Sequence, residues 1–110
     1  MASDFGGNFT IGNQSNDDVT FSGGLVVGGN LTVNGTTTTI ASNTLAIGDN
    51  ILVLNNDVTG TPSQNAGVEV ERGTSTNVGI RWNESTDRWQ IADASGSYHN
   101  IPLPSEVPSS

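Results

Sequence analysis

Two glutamates in the second half of the chain form the first candidate for a catalytic pair. Glu69 and Glu71 alternate with Val68 and Val70, which predicts a β-strand with both acids on one face. Their spacing of about 7 Å along such a strand would suit the carboxylate pair of an inverting glycosidase. Arg81 is expected on the same side, so cross-strand ion pairing or simple solvation explains both acids. We therefore predict that the chain is not an enzyme.

Aromatic residues close to acids form a second candidate site. Trp82 and Trp89 flank a predicted turn that contains Glu84 and Asp87, and Tyr98 follows a few residues later. Because aromatic rings next to carboxylates can stack on a sugar, Trp82, Trp89 and Tyr98 are the candidate glycan contacts. The interpretation that we favour is that the two tryptophans pair across the turn and form the core of a small sheet.

Metal, cofactor and nucleophile chemistry have little support in this sequence. His99 is the only histidine and the chain has no cysteine, so a transition-metal site lacks a ligand set. No nucleophile motif accompanies His99, and the glycine pairs lack the lysine and helix of a phosphate-binding loop. Asp17-Asp18 and Asp49-Asn50 match no calcium loop, although an ion ligated on an axis between chains is left open. We predict no catalytic residue, no metal-binding residue and no cofactor.

The charge of the chain limits the classes of partner that it is expected to bind. The formal net charge is −8, and the only basic residues besides the single histidine are Arg72, Arg81 and Arg88. Nucleic acids and anionic membrane surfaces need clustered cations, so neither is an expected partner. No apolar run approaches the roughly 18 residues that cross a bilayer, so no membrane insertion is expected. The first residues, Met1 to Gly7, also lack the basic and apolar regions of a secretory signal.

Short apolar units recur through the first half of the chain. They are Phe9–Gly12, Leu25–Gly28, Leu31–Gly35 and Leu45–Gly48, each an apolar-x-apolar strand followed by a residue that can turn. Each unit is too short to bury itself, so neighbouring copies or neighbouring chains must complete a core. Ile51–Leu54 is apolar on both faces, which predicts cover on both sides.

Oligomerisation is the remaining route to stability for a small chain without disulfides or metal clusters. We therefore predict a homotrimer whose interface uses the apolar residues of the repeat region. The interface candidates are Leu25, Val27, Leu31, Val33, Ile40, Leu45, Ile47, Ile51 and Val53.

Alternating apolar and polar residues in the second half of the chain predict a compact antiparallel meander of three strands over residues 66–92. No helix of useful length is expected anywhere. Its apolar face would carry Val68, Val70, Ile80, Trp82, Trp89 and Ile91. The predicted organisation has four parts: an N-terminal arm (1–22), a repeat-bearing β-region that forms the trimer core (23–59), a small antiparallel β-unit (60–98) and a proline-rich C-terminal tail (99–110).

Three segments carry a resemblance to a known class of protein. They are Asn30–Ile40 (NLTVNGTTTTI), Asp49–Asn55 (DNILVLN) and Asn65–Ile91 (NAGVEVERGTSTNVGIRWNESTDRWQI). In order and spacing they resemble a module of tail-fibre and other structural proteins of tailed bacteriophages, including cyanophages, over about residues 23–92. The resemblance implies a virion structural protein, assembled in the host bacterial cytoplasm as a trimer of intertwined or side-by-side β-structure.

The sequence and the resemblance together predict an all-β fold: short strands in a trimeric intertwined β-structure, like a β-prism or triple β-helix, followed by the small meander.

The predicted function is a non-enzymatic short fibre, spike or connector segment of a phage tail. Fibre proteins of this class are usually longer, with several modules and a receptor-binding tip. The alternatives are a capsid-decorating trimer and a carbohydrate-binding adhesin for host-surface glycans; a glycan-cleaving spike has less support. Other virion proteins are expected to bind the terminal arms.

Overall fold

A computed structural model describes residues 6–108 of the chain. The chain divides into two compact units, residues 1–45 and residues 46–110. Residues 1–5 of the predicted N-terminal arm and residues 109–110 of the predicted tail lie outside the described residues.

The described part of the first unit, residues 6–45, contains no strand and no helix. It contains a turn in which the Asp17 carboxylate accepts hydrogen bonds from the backbone N–H groups of Asn13, at 2.8 Å, and Gln14, at 3.0 Å. Gly12 enters this turn at φ +85°, a conformation that glycine adopts without strain. The short strands predicted here are not formed within the single chain.

Residues 46–65, at the start of the second unit, also lack strands. The segment Ile51–Leu54 is exposed on every side chain, from 45% at Leu54 to 69% at Ile51. A tight turn follows it, in which the Val58 N–H donates to the Asn55 carbonyl at 3.2 Å and Asn55 adopts φ 60°. The predicted two-sided cover of Ile51–Leu54 is therefore not provided by residues 6–108.

The second unit contains one antiparallel sheet of four strands. The strands are β1 (Ala66–Val70), β2 (Val78–Asn83), β3 (Arg88–Ala92) and β4 (Tyr98–Asn100). They lie side by side in the order in which they occur in the sequence. A 3₁₀ turn (Pro104–Glu106) follows β4. The all-β class and the antiparallel meander are thus confirmed, with a fourth strand beyond the three predicted. The sequence did not indicate β4, because the strand has only three residues and prolines follow it, so most of it was assigned to the proline-rich tail.

The strand register sorts the side chains onto two faces. Val68 pairs with Ile80, Ile80 with Ile91, and Trp82 with Trp89, which places these residues together. We call this surface the apolar face; it consists of Ala66, Val68, Val70, Val78, Ile80, Trp82, Trp89 and Ile91, with His99 opposite Ile91 at one edge. The opposite surface, the polar face, consists of Gly67, Glu69, Gly79, Arg81, Asn83, Arg88, Gln90, Ala92, Tyr98 and Asn100.

Burial on this sheet is the reverse of that in an ordinary domain. Among residues 6–108 no apolar side chain is buried, and the one buried residue is Gln90 on the polar face. On the apolar face, Val68, Val70, Trp89 and Ile91 each remain about half exposed. An amphipathic sheet usually packs its apolar face on a second layer, and among residues 46–108 no second sheet or α-helix forms such a layer.

Candidate functional site

The two tryptophans predicted to pair across the turn do so at one end of the apolar face. Trp82 and Trp89 are directly opposite each other in the register, with ring centroids 5.6 Å apart and planes inclined by 72°. This edge-to-face arrangement is favourable because the positive edge of one ring meets the negative face of the other. The Trp82 indole N–H donates to the Glu84 carboxylate at 2.9 Å, so its polar atom is satisfied within the chain.

An open groove lies beside this pair, between the sheet and the preceding segment of the same unit. Its walls are mainly apolar, and its volume is about 460 Å³. It is lined by Leu52, Val53, Leu54, Asn55, Gln64, Ala66, Trp82, Glu84 and Trp89. Part of the predicted trimer-forming segment therefore lies next to the tryptophans, which the sequence did not indicate.

Tyr98, the third candidate glycan contact, is not part of this group. It pairs with Ala92 on the polar face, opposite the surface that carries Trp82 and Trp89. There its ring lies beneath the Arg81 guanidinium, whose carbon is 3.7 Å from the ring centroid, in a cation–π contact. The ring can lie across the sheet because Gly79 has no side chain: a Cβ there would be 2.8 Å from the Tyr98 hydroxyl. The structure thus brings together two of the three aromatic candidates.

A hydrogen-bonded network occupies the centre of the polar face. The Gln90 side-chain oxygen accepts from Arg81 Nε at 3.0 Å and from Asn83 Nδ2 at 3.2 Å. Its amide nitrogen donates to the Asn100 side-chain oxygen at 3.0 Å. Because Gln90 uses both ends of its amide, its burial leaves neither end without a partner.

The paired carboxylates of the first candidate site bind the following loop rather than a cation. The Asn77 amide nitrogen donates to Glu69, at 3.2 Å, and to Glu71, at 3.1 Å, and Glu71 also accepts from the Gly73 N–H. The cross-strand ion pair with Arg81, one of the two explanations that the sequence suggested, is not formed. Arg81 instead contacts Gln90 and Tyr98. These contacts give the two acids a part in holding the β1–β2 loop.

His99 forms a hydrogen bond with Asp93, with Nε2 and Oδ2 2.6 Å apart. Asp93 is the hub of the β3–β4 turn, because its other oxygen accepts from the backbone N–H groups of Ser95 and Ser97 and from the Ser95 hydroxyl. The Ser95 side chain, followed by His99, holds the pKa of Asp93 well below its usual range. The sequence indicated no partner for His99, the only histidine of the chain, and the β3–β4 turn brings Asp93 to it.

Residues 101–106 are tied to the sheet by an ion pair. The Arg88 guanidinium binds both oxygens of Glu106, and it also donates to the Ile101 carbonyl at 3.2 Å. The Leu103 N–H, and then Arg88, lower the pKa of Glu106. Residues 101–106 are therefore held against the polar face, a contact that no local pattern in the sequence signalled, since the partners are 18 residues apart.

The nine predicted interface residues are all exposed in the single chain. Their exposed fractions run from 43% at Val27 to 69% at Leu31 and Ile51. Six of them, Leu25 to Leu45, lie in the first unit, and Ile47, Ile51 and Val53 lie in the second. No contact among the described residues of either unit buries them.

Other kinds of site were sought over residues 6–108. No group of three His, Cys, Asp or Glu residues in this range could hold a metal ion. The described residues also contain no helix that is both long enough and apolar enough to span a bilayer. Comparisons with protein-family models, with curated proteins and with solved structures find no match to this chain.

Proposed function

We propose that this chain is the subunit of a homotrimeric, non-enzymatic structural protein of a bacteriophage virion, as a short fibre, spike or connector segment of the tail. One observation carries the proposal of assembly: no apolar side chain among residues 6–108 is buried in the single chain. The assignment to a virion rests on the resemblance of residues 23–92 to phage structural proteins. A trimer that decorates the capsid is the alternative location.

The energetic argument for assembly starts from the exposed apolar residues. Fully burying one Val, Leu or Ile side chain stabilises a protein by about 1.5–3 kcal/mol relative to leaving it in water. Ordering one residue of backbone costs about 1–2 kcal/mol, and residues 6–65 contain no strand ladder to offset that cost. A neighbouring chain that covers Leu25, Leu31, Ile51 and Val53 would supply the missing stabilisation.

The apolar face of the sheet supports the same proposal. Apart from His99 at its edge, the face carries no ionisable side chain, although the chain has a net charge of −8. Glu69 lies on the polar face, whereas Glu84 and Asp93 reach the ends of the apolar face, where Glu84 accepts from the Trp82 indole and Asp93 contacts His99. The carboxylates that would be enclosed if subunits cover this face already have partners within the chain, so their burial would not leave a carboxylate unpaired, which would be costly. The terminal arms would bind other virion proteins.

The mass of the purified chain in solution tests the assembly. We expect light scattering at micromolar concentration to give three times the 11.4 kDa of one chain. Val53→Asp should abolish assembly, because it places a charge in the proposed subunit contact. Val26→Asp is the matched control, since Val26 is already 92% exposed and is not among the interface candidates.

Two results would contradict the proposal. A folded monomer at micromolar concentration would exclude the trimer, and an unchanged sedimentation coefficient for Val53→Asp would exclude this segment as the contact. The location is tested separately, by the position of the chain in a map of the intact particle. Density that fits it only on the capsid would replace the tail assignment with the decorating trimer.

A second candidate function, carbohydrate binding on the host surface, is favoured by the tryptophan groove. Trp89 leaves half of its surface exposed there, close to the Glu84 carboxylate. Glycan-array binding that is lost in Trp89→Ala, with the mass of the assembly unchanged, would support it. Tyr98→Ala is the control, because Tyr98 lies on the opposite face. Equal loss in both variants, or no binding by the unaltered chain, would exclude this groove as the glycan site.

A further inference from the structure

The repeat region contains one dipeptide with a chemistry of its own. Asparagine recurs along the chain, but only Asn34 is followed directly by glycine, Gly35. A glycine at that position gives the backbone wide conformational freedom and places no side chain near the preceding amide. Attack on the asparagine side chain by the next backbone nitrogen is therefore least hindered at this position.

The surroundings of this dipeptide leave both reacting groups free. Asn34 is exposed, and Gly35 begins a bend outside any strand or helix. No hydrogen bond to the side chain of Asn34 or to the backbone N–H of Gly35 is formed within residues 6–108. A Cβ built on Gly35 meets no atom within 4 Å, so nothing packs against the backbone at the point of attack.

We propose that Asn34 is a site of spontaneous deamidation through a cyclic imide. The deprotonated Gly35 backbone nitrogen attacks the Asn34 side-chain carbonyl carbon, a C–N bond forms, and the side-chain nitrogen leaves as ammonia after taking up a proton. Water then adds to either carbonyl of the five-membered imide and breaks the C–N bond there. The products are aspartate or isoaspartate, and no oxidant or reductant takes part.

Other asparagines of the same chain lack this combination. Asn65, Asn77, Asn83 and Asn100 hold their side-chain amides in hydrogen bonds of the sheet and its loops. Asn30 and Asn43 are as exposed as Asn34, but Leu31 and Thr44 follow them. Those two positions share the exposure of Asn34 and differ from it in the following residue, so they serve as comparators within one molecule.

The modification would matter because of where it lies. It adds one negative charge, from −8 to −9, directly after Val33 of the proposed interface. The isoaspartate product also lengthens the backbone by one methylene in the same segment. This consequence for assembly rests on the proposed function, whereas the reactivity of Asn34 does not.

The test is to incubate the full chain in mildly alkaline buffer and follow each asparagine by peptide mapping with mass spectrometry. Deamidation is read as the mass gain of an amide converted to an acid, and isoaspartate as a second chromatographic peak of the same mass. We expect conversion at Asn34 on the order of tenfold faster than at Asn30 or Asn43. Gly35→Ala should reduce it to their rate, and the open space around Gly35 accommodates the added methyl group.

The Val53→Asp variant separates this proposal from that of assembly. If the chain forms trimers, this variant keeps residues 31–36 accessible, so Asn34 should still convert fastest there. Equal rates at Asn34, Asn30 and Asn43 in that variant would overturn the proposal, and so would an unchanged rate in Gly35→Ala. The mass of the unaltered chain in solution reports independently on the trimer.

Discussion

The two faces of the four-stranded sheet differ in whether their contacts are complete. On the polar face, Gln90 is buried and both ends of its amide are bonded, and Arg81 lies on the Tyr98 ring. On the apolar face, Ile80 remains 41% exposed although it is on an inner strand, next to Ile91 and Val68. Hydrogen bonds can be satisfied across a single layer, whereas burial of apolar area needs a second layer.

This difference separates two kinds of stability in one small unit. The polar face stabilises the sheet within the chain through directional contacts at distances near 3 Å. The apolar face can contribute fully only when another surface covers it. Substitutions on the two faces should therefore be distinguishable by what they change: folding for the polar face and association for the apolar face.

The largest expected effect is that of Ile80→Glu on the apolar face. If this face is covered in the trimer, the new carboxylate is enclosed without a partner, which costs several kcal/mol and should abolish assembly. Sedimentation velocity measures this directly. Val107→Glu, which removes an apolar side chain that is 57% exposed and lies outside the sheet, should leave the trimer intact. A trimer that survives Ile80→Glu would show that the apolar face is not part of the contact.

Gln90→Leu should produce the largest loss of stability on the polar face. It leaves Asn100, Asn83 and Arg81 Nε without their partner, at a cost of about 1–3 kcal/mol. Urea unfolding at fixed protein concentration measures the change, with Gln14→Leu as a control at an exposed position of the first unit. Equal midpoints for the two variants would contradict the role that we assign to the network.

Glu106→Gln should have a smaller effect, confined to residues 101–106. It removes the carboxylate that Arg88 binds with two nitrogens, and residues 101–106 should then detach from the sheet more often. We expect faster hydrogen exchange at the amides of Leu103 and Glu106, with the exchange of Arg81 in β2 unchanged. Faster exchange throughout the sheet would mean that this ion pair supports the whole unit rather than residues 101–106 alone.

The smallest expected effect is a change in the acid dependence of stability. The pKa of Asp93 is held below its ordinary value of 3.8, so its contribution is complete above that pH and is lost as the pH falls below it. In Asp93→Asn, stability should vary less between about pH 4 and pH 2. Urea unfolding at several pH values measures the slope, and an identical slope in both proteins would contradict the assignment.

The sheet was largely predictable from its sequence. Alternation in Val68–Val70, Ile80–Trp82 and Trp89–Ile91 predicted three strands and their shared apolar face, because side chains alternate along any strand. The strand Tyr98–Asn100 was not predicted, since three residues are too few to show a period. Its position depends on hydrogen bonds to β3, which continue to the Ile101 N–H and the Trp89 carbonyl.

The candidate glycan site shows where sequence reasoning reaches its limit. Trp82 and Trp89 were expected to meet because a turn joins their strands, and they do. Tyr98 was grouped with them by proximity along the chain, but register places it on the other face. In the same way, the sequence suggested Arg81 as a partner for Glu69. In the folded chain Glu69 instead accepts a hydrogen bond from Asn77, and Arg81 donates one to Gln90.

By itself the sequence determined that this chain is all-β, strongly acidic and rich in apolar units too short to bury themselves. These properties depend on composition and on periods of two residues, which are local. The folded sheet places Tyr98 and the tryptophans on opposite faces, brings His99 to Asp93 and lets Arg88 bind Glu106. Those contacts depend on strand register and turn geometry, which bring together residues that no local pattern relates.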